Sequence, residues 1–200
     1  MKKDHYSGSL TRERFLFLEI RLVAGLILKG SERIEIANEI YESNLFQFPT
    51  ERMIRSTVNT CFNRIDALES DELVFQLANA STDVAKQINL YAIMCENSVV
   101  RDFMTYVIGE KYRLQEFNFS PKNVNVFFME LAEKVPSVGK WSESTLKKIK
   151  QVLVKFLVEC QYLDDTRSHR LNNVFIYPEL ESVIRAKGDA DVLPAFNCWG

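Results

Sequence analysis

Apolar positions recur three and four residues apart along most of the chain, a spacing that predicts helices. Residues 10–28 are apolar on nearly every side, as in a helix enclosed by its neighbours, and Gly30 closes that helix. Ser31 is placed to cap a helix over 32–42 that sets Ile34, Ala37, Ile40 and Tyr41 on one stripe and turns Glu32, Glu35 and Glu39 to water. Thr50 then caps a third helix whose inward face is Ile54, Val58, Cys61, Phe62, Ile65 and Leu68. Further helices are expected at 71–79, at 82–95 with Val84, Ile88, Tyr91, Ala92 and Cys95 inward, and at 99–112. Together they make a helical bundle.

Residues 116–120 break the period, and Ser120-Pro121 is a start signal, because proline at a first helical position lacks only an N–H that had no partner. A domain boundary is expected there, giving an N-terminal helical domain over 1–118 and a C-terminal domain over 119–200. A helix over 121–134 buries Val124, Phe127, Phe128 and Leu131, and a polar turn over 136–140 follows. Ser142 caps a helix running to about residue 160, with Leu146, Ile149, Val152, Leu153, Phe156, Leu157 and Cys160 inward. Its outer face carries Ser144, Lys147, Lys148, Gln151 and Lys155. The period changes over 162–177, where β-favouring residues flank a polar run and Asn172-Asn173 suits a tight turn, so a small β-hairpin is expected. Pro178 opens a short helix to Ala186, Gly188 ends it, and the tail has no clear period. The fold class is mainly α: an N-terminal helical bundle with a possible helix-turn-helix, then a C-terminal winged helix-turn-helix with a small β-hairpin.

Composition narrows the class. The 200 residues are 46% hydrophobic, which excludes a disordered chain, and a net charge of −2 excludes a uniformly basic nucleic-acid binder. Any polyanion contact must therefore come from a local patch. Cys61, Cys95, Cys160 and Cys198 form no CxxC pair and no disulfide framework, so a reducing cytoplasm is expected. The opening Met1-Lys2-Lys3-Asp4-His5 has no apolar run behind it and does not read as a secretory signal. The apolar stretch over 22–28 is far short of the ~20 residues that span a bilayer, so a soluble chain is expected.

Catalytic chemistry finds no foothold. His5 and His169 are the only histidines, no spacing suggests a closed metal site, and neither GxxxxGK[ST] nor GxGxxG occurs. Ser168 and His169 beside Asp164 and Asp165 could mimic a hydrolytic set, but adjacent residues on a hairpin point to opposite faces. No catalytic residue, metal or cofactor is expected.

The strongest functional signal is the order helix, turn, cationic helix, hairpin over 121–177, the order of a winged helix-turn-helix. From Lys140 to Arg170 there are seven basic residues (140, 147, 148, 150, 155, 167, 170) and four acidic ones (143, 159, 164, 165), a local +3. A helix in the major groove needs short polar groups near its N-terminus and cations beyond them. Ser142, Ser144, Thr145, Lys147, Lys148 and Gln151 meet that need, with Lys140 and Lys155 at either end. Arg167, His169 and Arg170 would reach an adjacent groove or phosphate row. A second candidate lies on the third helix, where Arg52, Arg55, Asn59 and Asn63 share one side, though Glu32, Glu35, Glu39 and Glu42 nearby repel phosphates. Phe46, Phe48, Phe117 and Phe119 are expected in core packing rather than under bases. The apolar tail residues Leu193, Ala195, Phe196 and Trp199 could dock a partner or pack back onto the chain's own core.

The run Trp141-Ser-Glu-Ser-Thr145, Lys148, Gln151-Val152, then Tyr162-Leu-Asp-Asp-Thr-Arg-Ser168, Leu171 and Ile176-Tyr-Pro-Glu-Leu180 resembles the BrxA family, a small component of bacterial BREX phage-exclusion systems. Arg21-Leu-Val-Ala24 and Asn44-Leu45 extend that resemblance to the N-terminal half. It implies a cytoplasmic, non-enzymatic protein acting beside a methyltransferase, an ATPase and other BREX components. The family's likeness to NusB and to winged-helix DNA binders implies either an RNA or a duplex-DNA partner. Duplex DNA is the expectation here, with RNA, bound through the N-terminal helices, or a protein-protein scaffold role within the BREX complex, docking a partner through the same surface, as the alternatives.

Overall fold

The computed structural model describes residues 6–12 and 14–199 and divides the chain into two compact units. One is Leu16–Glu96; the other joins Met1–Phe15 to Asn97–Gly200. The boundary expected at 118/119 falls inside the second unit, and the Met1–His5 stretch lies outside the described residues.

The first unit contains α1 (Phe17–Leu28), α2 (Arg33–Glu42), α3 (Glu51–Leu68), α4 (Asp71–Asn79) and α5 (Thr82–Glu96). The single helix expected over 10–28 is instead a short 3-10 turn at Gly8–Arg12 and then α1, separated at Leu16, whose φ of 55° is left-handed. Leu10 and Phe15 are buried in the other unit, so the chain passes from one core to the next at this break. Glu32, not Ser31, caps α2: its backbone N–H donates to Glu35 Oε2 at 3.0 Å in a capping box. The buried stripe of α2 is Ile36 and Ile40, while Ile34 is 76% exposed. Thr50 caps α3 as expected, accepting from the Met53 amide, and all six residues of the expected inward face are buried. The buried arc is wider than that stripe, because it also takes in Thr57 and Arg64.

Cys61 sits in this core, and burial pushes its thiol up to about 12 against the pull of nearby Arg64. The unfolded thiol ionises nearer 9.0, so the stability it contributes is complete below that pH and lost progressively as pH rises to about 12. Urea unfolding should show this alkaline loss, and Cys61→Ala should flatten it.

The second unit opens with α6 (Ser98–Asp102), which runs through a π-helical stretch at Phe103–Gly109 into α7 (Glu110–Arg113). After extended residues 117–119 come α8 (Pro121–Lys134), α9 (Pro136–Gly139), α10 (Glu143–Glu159) and α11 (Pro178–Ala186). The inward residues expected for α8 are all buried; of those for α10, Ile149, Leu153, Phe156, Leu157 and Cys160 are buried and Leu146 and Val152 partly so.

No strand occurs among the described residues, so the hairpin of the expected winged helix is absent. The segment after α10 makes its antiparallel bridge with residues 117–119. Phe119 N donates to His169 O at 2.9 Å, Leu171 N donates to Phe117 O at 2.7 Å, and Asn118 and Arg170 form one antiparallel bridge. Asn172 does not make the turn: its backbone N–H donates to Tyr162 O at 2.9 Å and closes a loop. Its reversal lies at Asp165–Ser168, where acidic and hydroxyl side chains bond the backbone.

The tail forms a 3-10 helix at Ala190–Phe196, with Val192, Leu193, Ala195 and Phe196 buried. Arg101 fastens its start, bonding Asp189 and Asp191 at 2.8 Å each, and the Tyr162 hydroxyl donates to Ala195 O at 2.9 Å. The tail's apolar residues thus pack onto their own core, leaving Trp199 44% exposed.

Candidate nucleic-acid interface

Helix α10 starts where it does because Ser142 takes an extended conformation and its Oγ accepts the Thr145 amide at 3.2 Å. The same Oγ lies 2.9 Å from Ser144 Oγ and 2.9 Å from Thr145 Oγ1. The three hydroxyls therefore form a linked cap. Thr145 is half-buried beside Gly8, whose added Cβ would meet Thr145 Cγ2 at 3.6 Å, so the 3-10 turn at Gly8–Arg12 flanks this end of α10. Ser144 stays exposed.

Beyond the cap, Lys147, Gln151 and Lys155 follow one another at four-residue steps, and Lys148 lies beside them. All four are exposed, as is Lys140 at the end of α9, and none of these lysines forms an ion pair among the described residues. The amphipathic pattern accounts for the placement: burying Ile149, Leu153, Phe156 and Leu157 turns this cationic arc outward.

The loop after α10 is held rather than loose. Asp165 Oδ1 accepts the Arg167 amide at 2.6 Å, Ser168 Oγ accepts the Asp165 amide at 3.0 Å, and the pairing of 169–171 with 117–119 anchors its end. Arg167, His169 and Arg170 are exposed on it. Asp164 accepts the Asn172 side-chain amide at 2.8 Å.

These elements enclose a cleft of about 790 Å³. One wall is the start of α8 (Pro121, Val124, Asn125), the second is Lys150, Gln151, Val154 and Lys155 of α10, and the third is the loop from Thr166 to His169, with Phe119 at the base. No carboxylate lines it. Of the residues expected to touch nucleic acid, Gln151, Lys155, Arg167 and His169 meet at this cleft. Lys140, Ser142, Ser144, Thr145, Lys147, Lys148 and Arg170 lie outside it.

Lys150 was visible in the sequence only as part of the local charge. In the structure its Nζ donates to Asn125 Oδ1 at 2.8 Å and lies 5.7 Å from the centre of the Phe128 ring. Of the α8 residues at the cleft, Pro121 was legible only as a helix start and Val124 only as core, and Asn125 had no signal beyond the exposed side of a predicted helix.

The second candidate, Arg52, Arg55, Asn59 and Asn63, is exposed on α3. The Arg55 guanidinium stacks over Tyr41 at 4.5 Å, and α2, which packs on α3, exposes Glu32, Glu35, Glu39 and Glu42. The small pocket at the α2–α3 turn is lined by Glu42 and Glu51, a poor setting for phosphate.

No group of three or more metal-ligating side chains is gathered among the described residues, and none of their helices is long and apolar enough to cross a membrane. No disulfide joins the cysteines among the described residues.

The family model for BrxA matches residues 4–188. The chain belongs to the BrxA family. A BREX protein BrxA from Bacillus cereus (strain H3081.97) is 27% identical over 190 residues, covering 94% of each chain. Those from Paramagnetospirillum magneticum (strain ATCC 700264 / AMB-1) and Escherichia coli O9:H4 (strain HS) are 23% and 24% identical, covering 96% and 93% of this chain and 96% and 87% of their own. The crystal structure of an uncharacterized protein from Magnetospirillum magneticum, at 23% identity, superposes with a TM-score of 0.81 over 96% of this chain and 97% of its own, which shows a shared fold. The BrxA match therefore spans both units, including α10, the following loop and α11.

Proposed function

We propose that this chain is a cytoplasmic, non-enzymatic component of a BREX phage-exclusion system that binds duplex DNA chiefly through phosphates. The supporting observation is that α10 and the loop after it bring Gln151, Lys155, Arg167 and His169 to one cleft without a carboxylate in its lining. Lys147 and Lys148 continue the α10 arc, and Lys140 and Arg170 add charge beside it. In this reading Ser142 works mainly as a helix cap, Ser144 offers the exposed hydroxyl of the first turn, and Thr145 supports the cap through its hydroxyl. The loop takes the place of a wing, and α10 supplies the groove-facing helix. Other BREX components are the expected protein partners, given the names of the relatives.

Mobility shift of unrelated duplexes over a salt series tests the reading. Lys147→Glu with Lys148→Glu should weaken binding to every sequence and lower the salt slope by about one per lost phosphate contact. Duplex DNA should also outcompete single-stranded and duplex RNA at matched salt. Unchanged affinity in the double variant, or preference for RNA, would remove the proposal.

A further inference from the structure

The cleft is larger and more mixed in its lining than a phosphate row alone requires. Pro121 and Val154 line it with apolar side chains, while Lys150, Lys155 and Arg167 offer hydrogen-bond donors only. The carboxamide oxygen of Asn125 is already engaged by Lys150 at 2.8 Å. Donors therefore outnumber acceptors, and the complementary ligand is rich in acceptors, anionic and partly flat and apolar. A volume of about 790 Å³ suits a ligand of nucleotide size. A peptide fits less well, because its backbone N–H groups would share the acceptors of Gln151, Thr166, Ser168 and His169 while the cations of Lys150, Lys155 and Arg167 found no anion. The walls are also preformed, since the Asp165–Ser168 turn and the Phe119–His169 backbone bond fix the loop side.

From this we infer that the cleft binds a single nucleotide, its base lodged between Pro121 and Val154 and its phosphate toward Lys155 and Arg167. The inference rests on the polyanion-binding reading of the same face and adds to it a site for one unstacked base. The nucleotide comes either from solution or from the end of a strand.

Titration of the full chain, followed by amide NMR shifts, with AMP, a 5′-phosphorylated single-stranded tetranucleotide, inorganic phosphate and an acidic peptide decides the matter. Saturable shifts confined to residues 150–155 and 166–169 are expected with AMP or the tetranucleotide. AMP alone marks a free nucleotide as the ligand; the tetranucleotide alone marks a strand end. Thr166→Trp and Val154→Trp, both in the cleft's lining, should each fill the space the nucleotide needs and weaken that binding roughly tenfold or more. Three outcomes overturn the inference: no nucleotide binding, inorganic phosphate binding as tightly as AMP, or binding of the peptide only. Duplex binding that survives such a failure leaves the proposed function standing; nucleotide binding without duplex binding removes the proposed function instead.

Discussion

Replacing Arg64 by alanine should lower the unfolding free energy by about 3–5 kcal/mol, the cost of breaking a buried charge pair. Arg64 lies in the middle of α3 with its side chain fully buried, and its Nε is 3.8 Å from Glu96 Oε2. The alanine variant removes the charge that faces Glu96 and also leaves a void the size of a long side chain. Glu96 keeps 26% of its side-chain exposure, so water can solvate part of the carboxylate left behind and holds the loss near the lower end of that range. Arg64→Met separates the two contributions. It restores most of the volume without the charge, and should recover the packing part of the loss while the electrostatic part remains. Equilibrium urea unfolding reads both. Equal stability of the alanine variant and the natural chain would show that the pair contributes nothing net. The same variant bears on Cys61, because Arg64 lowers the thiol that burial raises; without it, Cys61 should resist ionisation to still higher pH.

Arg64 also marks where a one-dimensional pattern stops being informative. The stripe Ile54, Val58, Cys61, Phe62, Ile65 and Leu68 identifies the inward face of α3, because burial selects apolar side chains and the helix repeats them at fixed intervals. A charged residue at the margin of that stripe reads as solvated, and only the approach of the Glu96 end of α5 makes burial possible. The caps at Thr50 and Ser142 were legible for the same local reason, since each bond spans three residues. The missing hairpin is the opposite case. Residues 162–177 have the composition of strands, but strand pairing is a non-local choice. Residues 117–119 supply the edge that Asn118 and Arg170 share. The cationic arc of α10 could be read from spacing; the cleft could not, because Asn125, Lys150 and Arg167 converge from three elements far apart in sequence. The tail is intermediate. Its apolar residues were evident, yet a 3-10 helix containing Pro194 has no period long enough to declare itself.

That tail sets the second large effect, at Gly109. Its φ of −60° and ψ of −44° are ordinary helical values, so no backbone strain demands glycine there. Space does. A Cβ at this position would come within 2.8 Å of Pro194 Cβ and 3.0 Å of the Pro194 carbonyl carbon, and backbone cannot swing aside as a flexible side chain can. The π-helical stretch at Phe103–Gly109 and the 3-10 helix at Ala190–Phe196 are thus packed through the missing side chain. Gly109→Val should destabilise by about 1–3 kcal/mol through overpacking. It should also expose the tail to proteolysis, because the shift must be taken up by Ala190–Phe196. Gly109→Ala is the sharper test, since alanine favours a helix by about 1 kcal/mol relative to glycine. If the clash outweighs that gain, the alanine variant melts lower than the natural chain and loses its tail faster to a carboxypeptidase. If it melts higher, the tail yields at little cost and the close approach at Pro194 does not hold the unit together. Because the segment after α10 reaches this core through Tyr162, whose hydroxyl donates to Ala195 O at 2.9 Å, a displaced tail should also loosen the loop that carries Arg167 and His169. Binding at the cleft should then weaken along with stability in Gly109→Val, although the substitution touches none of the cleft's lining residues.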